Sequence, residues 1–225
     1  MHKPQIKIAT SILAGDFGHL SDEARRIEAS GSDYLHLDVM DGHFVPQITF
    51  GSQAVAAINR ATSMFLDVHL MIYNPFDYVE RFVEAGADMI TFHFEATEEV
   101  EETLNYIRRC NVKAGLAFCP ETSPSMLINY VDKCDMMLLM TVNPGRGGQA
   151  FMPEVLDKIQ FARDICTKLN IELDIQVDGG INPTTVEQCA QAGANVFVSG
   201  TYLFKTPQMG EAVRTLRQAA AHTDK

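Results

Sequence analysis

The chain has 225 residues, with 18 Lys and Arg against 29 Asp and Glu, a formal net charge of −11, 46% apolar residues and 21% charged residues. This composition excludes wholesale disorder and a fibrous fold, and the length suits one domain with a full core. The acidic balance argues against a nucleic-acid partner and against docking on anionic membranes, and no apolar run approaches the roughly 20 residues that span a bilayer.

The start, Met1-His2-Lys3-Pro4-Gln5, is polar with no apolar stretch behind it, so a cytoplasmic protein is expected rather than a secreted one. Apolar strand-like runs follow at 6–13, 33–39, 64–72, 88–94, 112–118, 135–142, 173–178 and 195–199. Between them the pattern predicts helices over 18–30, 52–62, 76–85, 97–110, 124–133, 153–169, 184–192 and 207–221. Ser21, Ser52, Ser123 and Thr184 stand near helix starts, and Gly31, Gly86 and Gly193 stand where helices end. The acidic run Glu98-Glu99-Val100-Glu101-Glu102 reads as a solvated first turn. Cys110, Cys119, Cys134, Cys166 and Cys189 are scattered and odd in number, which reads as reduced, buried thiols.

Three stretches repeat one another: Ala29-Ser30-Gly31-Ser32-Asp33-Tyr34, Glu84-Ala85-Gly86-Ala87-Asp88-Met89 and Gln191-Ala192-Gly193-Ala194-Asn195-Val196. Each reads as helix end, glycine turn and strand start. About eight such units with no linker predict a single-domain (β/α)8 barrel over 1–225, with a parallel eight-stranded sheet; a doubly wound open sheet is the alternative. In a barrel the site lies at the C-terminal ends of the strands.

Strand period two places His36, Asp38 and Met40 on one face of the second strand, and Asp67, His69 and Met71 on one face of the third. The seventh strand ends in Asp178-Gly179-Gly180. Singly, such a histidine is a hydrogen-bonded packing residue and such an aspartate a helix cap. Together they would bury unpaired polar groups unless they share a ligand, and the N/O set suits a divalent transition metal such as Zn²⁺, Fe²⁺, Mn²⁺ or Co²⁺. Glycine clusters at consecutive strand ends, Asn143-Pro144-Gly145-Arg146-Gly147-Gly148-Gln149, Asp178-Gly179-Gly180 and Ser199-Gly200-Thr201, read either as tight turns or as an amide nest for phosphate. No P-loop or GxGxxG occurs. Met40, Met71 and Met140 fall at strand ends, as core filling or as a dry, polarisable wall around a negatively charged intermediate.

These residues resemble the ribulose-phosphate 3-epimerase family nearly end to end. The resemblance is carried by Thr10-Ser11-Ile12-Leu13-Ala14-Gly15-Asp16-Phe17, Leu37-Asp38-Val39-Met40-Asp41-Gly42-His43-Phe44-Val45-Pro46 and Asp67-Val68-His69-Leu70-Met71. It continues through Met140-Thr141-Val142-Asn143-Pro144-Gly145, Val177-Asp178-Gly179-Gly180-Ile181 and Ala192-Gly193-Ala194-Asn195. The resemblance implies reversible epimerisation of D-ribulose 5-phosphate to D-xylulose 5-phosphate at C3, with no organic cofactor. It implies one divalent metal on His36, Asp38, His69 and Asp178, and Asp38 and Asp178 as acid/base groups on opposite faces of C3. Ser11 and His69 would contact substrate, and Gly145, Arg146, Gly147, Gly148, Gly179, Gly180, Gly200 and Thr201 would hold the phosphate. Met40, Met71 and Met140 would wall the intermediate. A homo-oligomer is implied as well.

Two positions depart from the family pattern. Arg146 replaces the usual aromatic of the phosphate loop, where it either adds a phosphate contact or points to solvent, and Gln47 stands where the family often has Asn. A six-carbon ketose phosphate such as allulose 6-phosphate is the alternative substrate, and a non-catalytic sugar-phosphate-binding barrel the alternative class.

Overall fold

Strands that alternate with helices should pair in parallel, each with the next, and they do. In the computed structural model, which describes residues 4–222, the strands are β1 (Lys7–Ser11), β2 (Tyr34–Met40), β3 (Phe65–Met71), β4 (Met89–His93), β5 (Lys113–Phe118), β6 (Met136–Met140), β7 (Asp174–Asp178) and β8 (Val196–Ser199). They form a closed barrel in sequence order, with β8 hydrogen-bonded back to β1, so the open-sheet alternative is set aside. The start read at Met1, His2 and Lys3 lies outside the described residues.

Among the described residues eight α-helices surround the sheet: α1 (Leu20–Ala29), α2 (Ser52–Asn59), α3 (Val79–Glu84), α4 (Val100–Arg109), α5 (Leu156–Leu169), α6 (Pro183–Ala192), α7 (Thr201–Lys205) and α8 (Met209–Ala221). α4 illustrates their logic. Val100, Thr103, Leu104 and Ile107 form a buried stripe at helical spacing, while Glu101 and Glu102 in the first turn and Arg108 and Arg109 in the last match the helix dipole. The predicted helix at 124–133 is instead a 3₁₀ segment, Pro124–Asn129. Only Leu127 and Val131 of that stretch are buried, too narrow an apolar stripe to hold successive α-turns. The 76–85 helix is likewise split, a 3₁₀ turn at Pro75–Tyr78 preceding α3. α6 is capped by Asn182, whose side chain accepts from the Thr184 and Thr185 amides while Thr185 reciprocates.

The repeated helix–glycine–strand signature has a structural cause that extends to a fourth copy. Asp33, Asp88, Asp135 and Asn195 each precede an even-numbered strand. Each donates its backbone N–H to one residue of the preceding odd strand (Ile8, Leu66, Ala114 and Ile175, at 2.8–3.1 Å). The side-chain oxygen of each then accepts the N–H of that same residue, at 2.7–2.9 Å. The four clamps satisfy strand-start amides that helix-facing neighbours would otherwise leave unpaired.

Within each strand the two faces diverge. Leu35, Leu37, Val39, Leu66, Val68 and Leu70 pack outward in the core shared with the helices. Inside, Ala9, Tyr34, Met89, Met136, Val196, Val198 and Phe65 plug the N-terminal end. His36, Asp38, His69 and Asp178 gather beyond this plug, toward the C-terminal ends of the strands, while Lys7 and Asp174 pair at 2.6 Å at the strand starts. No helix among the described residues is long and apolar enough to cross a membrane.

Candidate active site

Parallel register brings the strand-end residues level with one another. His36 pairs with Asp67, Asp38 with His69 and Met40 with Met71 across β2 and β3, while Met140 pairs with Asp178 across β6 and β7. His36, Asp38, His69 and Asp178 each offer a ligand atom within 4.8 Å of the others. His36 Nε2 lies 3.3 Å from Asp38 Oδ1 and 3.9 Å from Asp178 Oδ2, and His69 Nδ1 lies 3.2 Å from Asp38 Oδ1. The Ser11 hydroxyl donates to Asp38 Oδ2 at 2.7 Å, fixing the carboxylate's rotation.

The donor set fits a divalent ion. His36 is fully buried, and its Nδ1 lies 2.8 Å from Asp67 Oδ2, which also accepts the Gln176 amide at 2.7 Å. An ionised carboxylate only accepts, so Nδ1 carries a proton and Nε2 is the ring atom left for a ligand; Nε2 has no hydrogen-bond partner. A buried imidazole backed by a carboxylate with its free nitrogen aimed at two further carboxylates is the arrangement metal-binding histidines adopt.

The electrostatics split the two acid/base candidates. Burial disfavours the Asp38 anion, but His36, Ser11 and His69 surround it, and its carboxyl is held well below the usual range. Asp178, still 19% exposed in the side chain, is pushed up to about 7 by desolvation in the mouth and then by the Asp38 carboxylate. Burial favours neutral His36, yet Asp38 and Asp67 outweigh it and raise its pKa well above the ordinary value. His69 moves the other way: burial takes it down to about 4 against the pull of Asp38.

Above these groups opens a cavity of about 700 Å³. Ser11, Asp38, Asp178, Met40, Met71 and Met140 line it, as do Gly145, Arg146, Gly147, Gly148, Gly179, Gly180, Gly200 and Thr201. His36 and His69 do not; each is without exposed surface and lies behind the wall, so His69 has no direct face toward a substrate. The three methionines are 2–4% exposed, a dry rim over the carboxylates. The glycine loops converge: a Cβ on Gly180, at φ +67°, would stand 2.7 Å from the Phe151 backbone nitrogen, and one on Gly148, at φ +72°, would stand 3.7 Å from Thr201 Oγ1. Only glycine allows both these backbone conformations and the Gly180 approach.

Gln149 staples the first of these loops by donating to the Asn143 and Arg146 carbonyls at 2.7 Å. Arg146 is exposed at the rim and makes no ion pair among the described residues; Gln47 is exposed and also lines the cavity. Several contributors escaped the sequence reading. The helix α7 starts at Thr201, immediately after β8, and brings Tyr202 and Lys205 to the cavity. Asp41 serves structure: it accepts the His43 and Phe44 amides and, across the barrel rim, the Tyr73 amide at 2.9 Å. His93 and Glu95 pack behind His69, and the spacing of polar residues on the fourth strand was the available signal.

The family model for the ribulose-phosphate 3 epimerase family matches residues 7–204. The chain is 51% identical over 207 residues to ribulose-phosphate 3-epimerase of Chlamydia muridarum, covering 91% of both, and 44% identical over 216 residues to that of Synechocystis sp., covering 95% of this chain and 94% of the relative. Among solved structures, KGPDC from Streptococcus mutans superposes with a TM-score of 0.74 at 11% identity over 99% of this chain and 100% of its own, a likeness of fold alone. With the motif-bearing strand ends gathered at one mouth of the barrel and these matches spanning nearly the whole length, the chain belongs to the ribulose-phosphate 3-epimerase family.

Proposed function

We propose that the chain acts as one catalytic unit that inverts C3 of a ketopentose 5-phosphate, interconverting D-ribulose 5-phosphate and D-xylulose 5-phosphate. His36, Asp38, His69 and Asp178 would hold one divalent metal. The observation that carries the two-base assignment is geometric: Asp38 and Asp178 come from strands on different sides of the barrel, both face one cavity, and each has a ligand atom within 4.8 Å of those of His36 and His69. A proton α to a ketone is weakly acidic, and a divalent ion supplies the fixed positive charge that the developing enediolate oxygens need.

The residues divide the remaining work. Asp38 takes the C3 proton, with Ser11 keeping its reactive oxygen in orientation. Asp178 returns its own proton to C3 from the opposite face, which inverts the centre and leaves Asp38 protonated and Asp178 ionised; the reverse reaction runs the same exchange backwards. Met40, Met71 and Met140 keep water from competing for the carbanion. The glycine loops and the start of α7 offer backbone N–H groups to the phosphate, the usual phosphate position of this fold. Five free cysteines support a reducing, cytoplasmic setting. Phe17, Ile48, Tyr73 and Tyr78, all at least 40% exposed, ring the loop after β2, and a second copy of the chain covers this apolar rim.

The test is turnover of D-ribulose 5-phosphate in D₂O. Metal-loaded protein is expected to give D-xylulose 5-phosphate with solvent deuterium at C3, and chelation followed by add-back to abolish and restore it. Full activity in rigorously metal-free protein would refute the metal assignment, and preferential turnover of allulose 6-phosphate the pentose assignment.

A further inference from the structure

Behind the site lies a polar cluster that no step above uses: buried His93 at the end of β4, half-buried Glu95 in the turn after it, and buried Cys119 just past β5. His93 has no exposed surface, and its Nε2 stands 2.9 Å from His69 Nε2. Its Nδ1 stands 3.3 Å from Glu95 Oε2. Glu95 Oε1 is already engaged, accepting the Cys119 amide at 2.9 Å and the Thr122 hydroxyl.

We propose that Glu95 and His93 are positioning residues that set the tautomer of His69, leaving its Nδ1 bare and directed at the metal position; the proposal rests on the metal reading above. An ionised carboxylate accepts only, so His93 carries its proton on Nδ1. With that proton on Nδ1, His93 turns the lone pair of Nε2 to His69, 2.9 Å away, and accepts there. His69 must therefore donate from Nε2, and its Nδ1 is left as a lone pair. That lone pair lies 3.2 Å from Asp38 Oδ1, a buried acceptor facing another acceptor, which a cation between them relieves. The opposite arrangement would turn a bare His93 Nδ1 toward Glu95. Glu95 resists this because it stays ionised: burial raises its carboxyl, but His93, Thr122 and the Cys119 amide bring it down to about 2.

The same three residues are spaced so that they could hold an ion themselves, but their chemistry disfavours it. Both Glu95 oxygens already accept hydrogen bonds, and the Cys119 thiol is pushed well up by burial and then by Glu95. The Lys158 ammonium, bound to the Cys119 and Pro120 carbonyls at 2.8 and 2.7 Å, already places a positive charge alongside.

The experiment measures Zn²⁺ dissociation constants on stripped protein by chelator competition, and reads the His69 tautomer from long-range ¹H–¹⁵N correlations. Stripped wild type is expected to show His69 protonated at Nε2 and to bind one Zn²⁺. Glu95→Gln, whose amide can donate to His93 and reverse the chain of donors, is expected to move the proton to Nδ1 and weaken Zn²⁺ by roughly 10–100-fold. His93→Gln, whose carbonyl can still accept from His69, is expected to hold affinity within a few-fold, whereas His93→Leu loses as much as Glu95→Gln. A structural role alone would make the two His93 variants alike, and that result, or unchanged affinity in Glu95→Gln, would overturn the relay while leaving the metal reading intact. A second equivalent of Zn²⁺ lost on His93→Leu would also overturn it. No Zn²⁺ uptake by wild type would instead overturn the metal reading itself.

Discussion

Asp38 and Asp178 are the same residue type in one barrel mouth, and their surroundings push their carboxyls in opposite directions. Asp38 has the Ser11 hydroxyl and two imidazoles against it, whereas Asp178 is raised by burial and then by the Asp38 anion. If each serves one face of C3, removing one should stop inversion but not proton exchange. Asp178→Asn is expected to lower epimerisation by about 10²–10⁴-fold while one epimer still exchanges its C3 hydrogen with solvent. Asp38→Asn should leave exchange in the other epimer. Deuterium wash-in followed by NMR, with metal content measured in each variant, checks this; exchange in both epimers from a single variant would show that one base serves both faces.

At the scale of elements, the barrel is tied at its base by four clamps, in which a residue before each even strand both donates to and accepts from one residue of the preceding strand. Three positions use Asp and the fourth, Asn195, uses an amide oxygen, so the role needs an acceptor and not a charge. Asp88→Ala leaves the Leu66 N–H without its partner, a loss of about 1–3 kcal/mol. In a chain of this size that is a fall in Tm of roughly 2–12 °C. Asp88→Asn should retain most of the stability. Thermal unfolding of the two variants checks this, and equal losses would mean that charge, not hydrogen bonding, is at work. The clamps also explain why glycine, a small residue and Asp or Asn recur three times in the sequence, since in those copies the chain passes through αL at Gly31, Gly86 and Gly193 and then returns the acceptor to the strand behind.

At the scale of the whole molecule, a net charge of −11 stands against the anionic sugar phosphate proposed as substrate. A phosphate held by backbone N–H groups needs no cluster of basic side chains, and a cation in the candidate metal cluster would offset the converging carboxylates, so the global charge does not argue against such a ligand. The apolar rim around the loop after β2 is the other large-scale feature. Ile48 is 75% exposed beside a hollow of about 330 Å³ that it shares with Phe50 and Tyr78. Ile48→Lys is expected to shift the protein toward a monomer in sedimentation velocity without loss of fold. A wild type that is already monomeric at micromolar concentration would remove the self-association assignment.

What the sequence determined by itself follows from local rules. Period two told which side chains of β2 and β3 share a face, the apolar–amphipathic alternation told the parallel order, and glycines at strand ends told where backbone could approach a ligand closely. Those rules were enough for the barrel and for the residues of the mouth, because each depends on a few neighbouring positions. They could not distinguish the 3₁₀ segment Pro124–Asn129 from an α-helix, or find α7, since packing decides whether so short a stretch winds. Nor could they say which partner a polar residue faces. That Asp67 backs His36, that Gln176 holds Asp67, and that Glu95 reaches His69 through His93 depend on barrel closure and on the register between strands far apart in the chain. Tertiary structure alone decided the protonation of the site, because a buried proton's position is set by whichever donor or acceptor the fold brings within 3 Å or so of it.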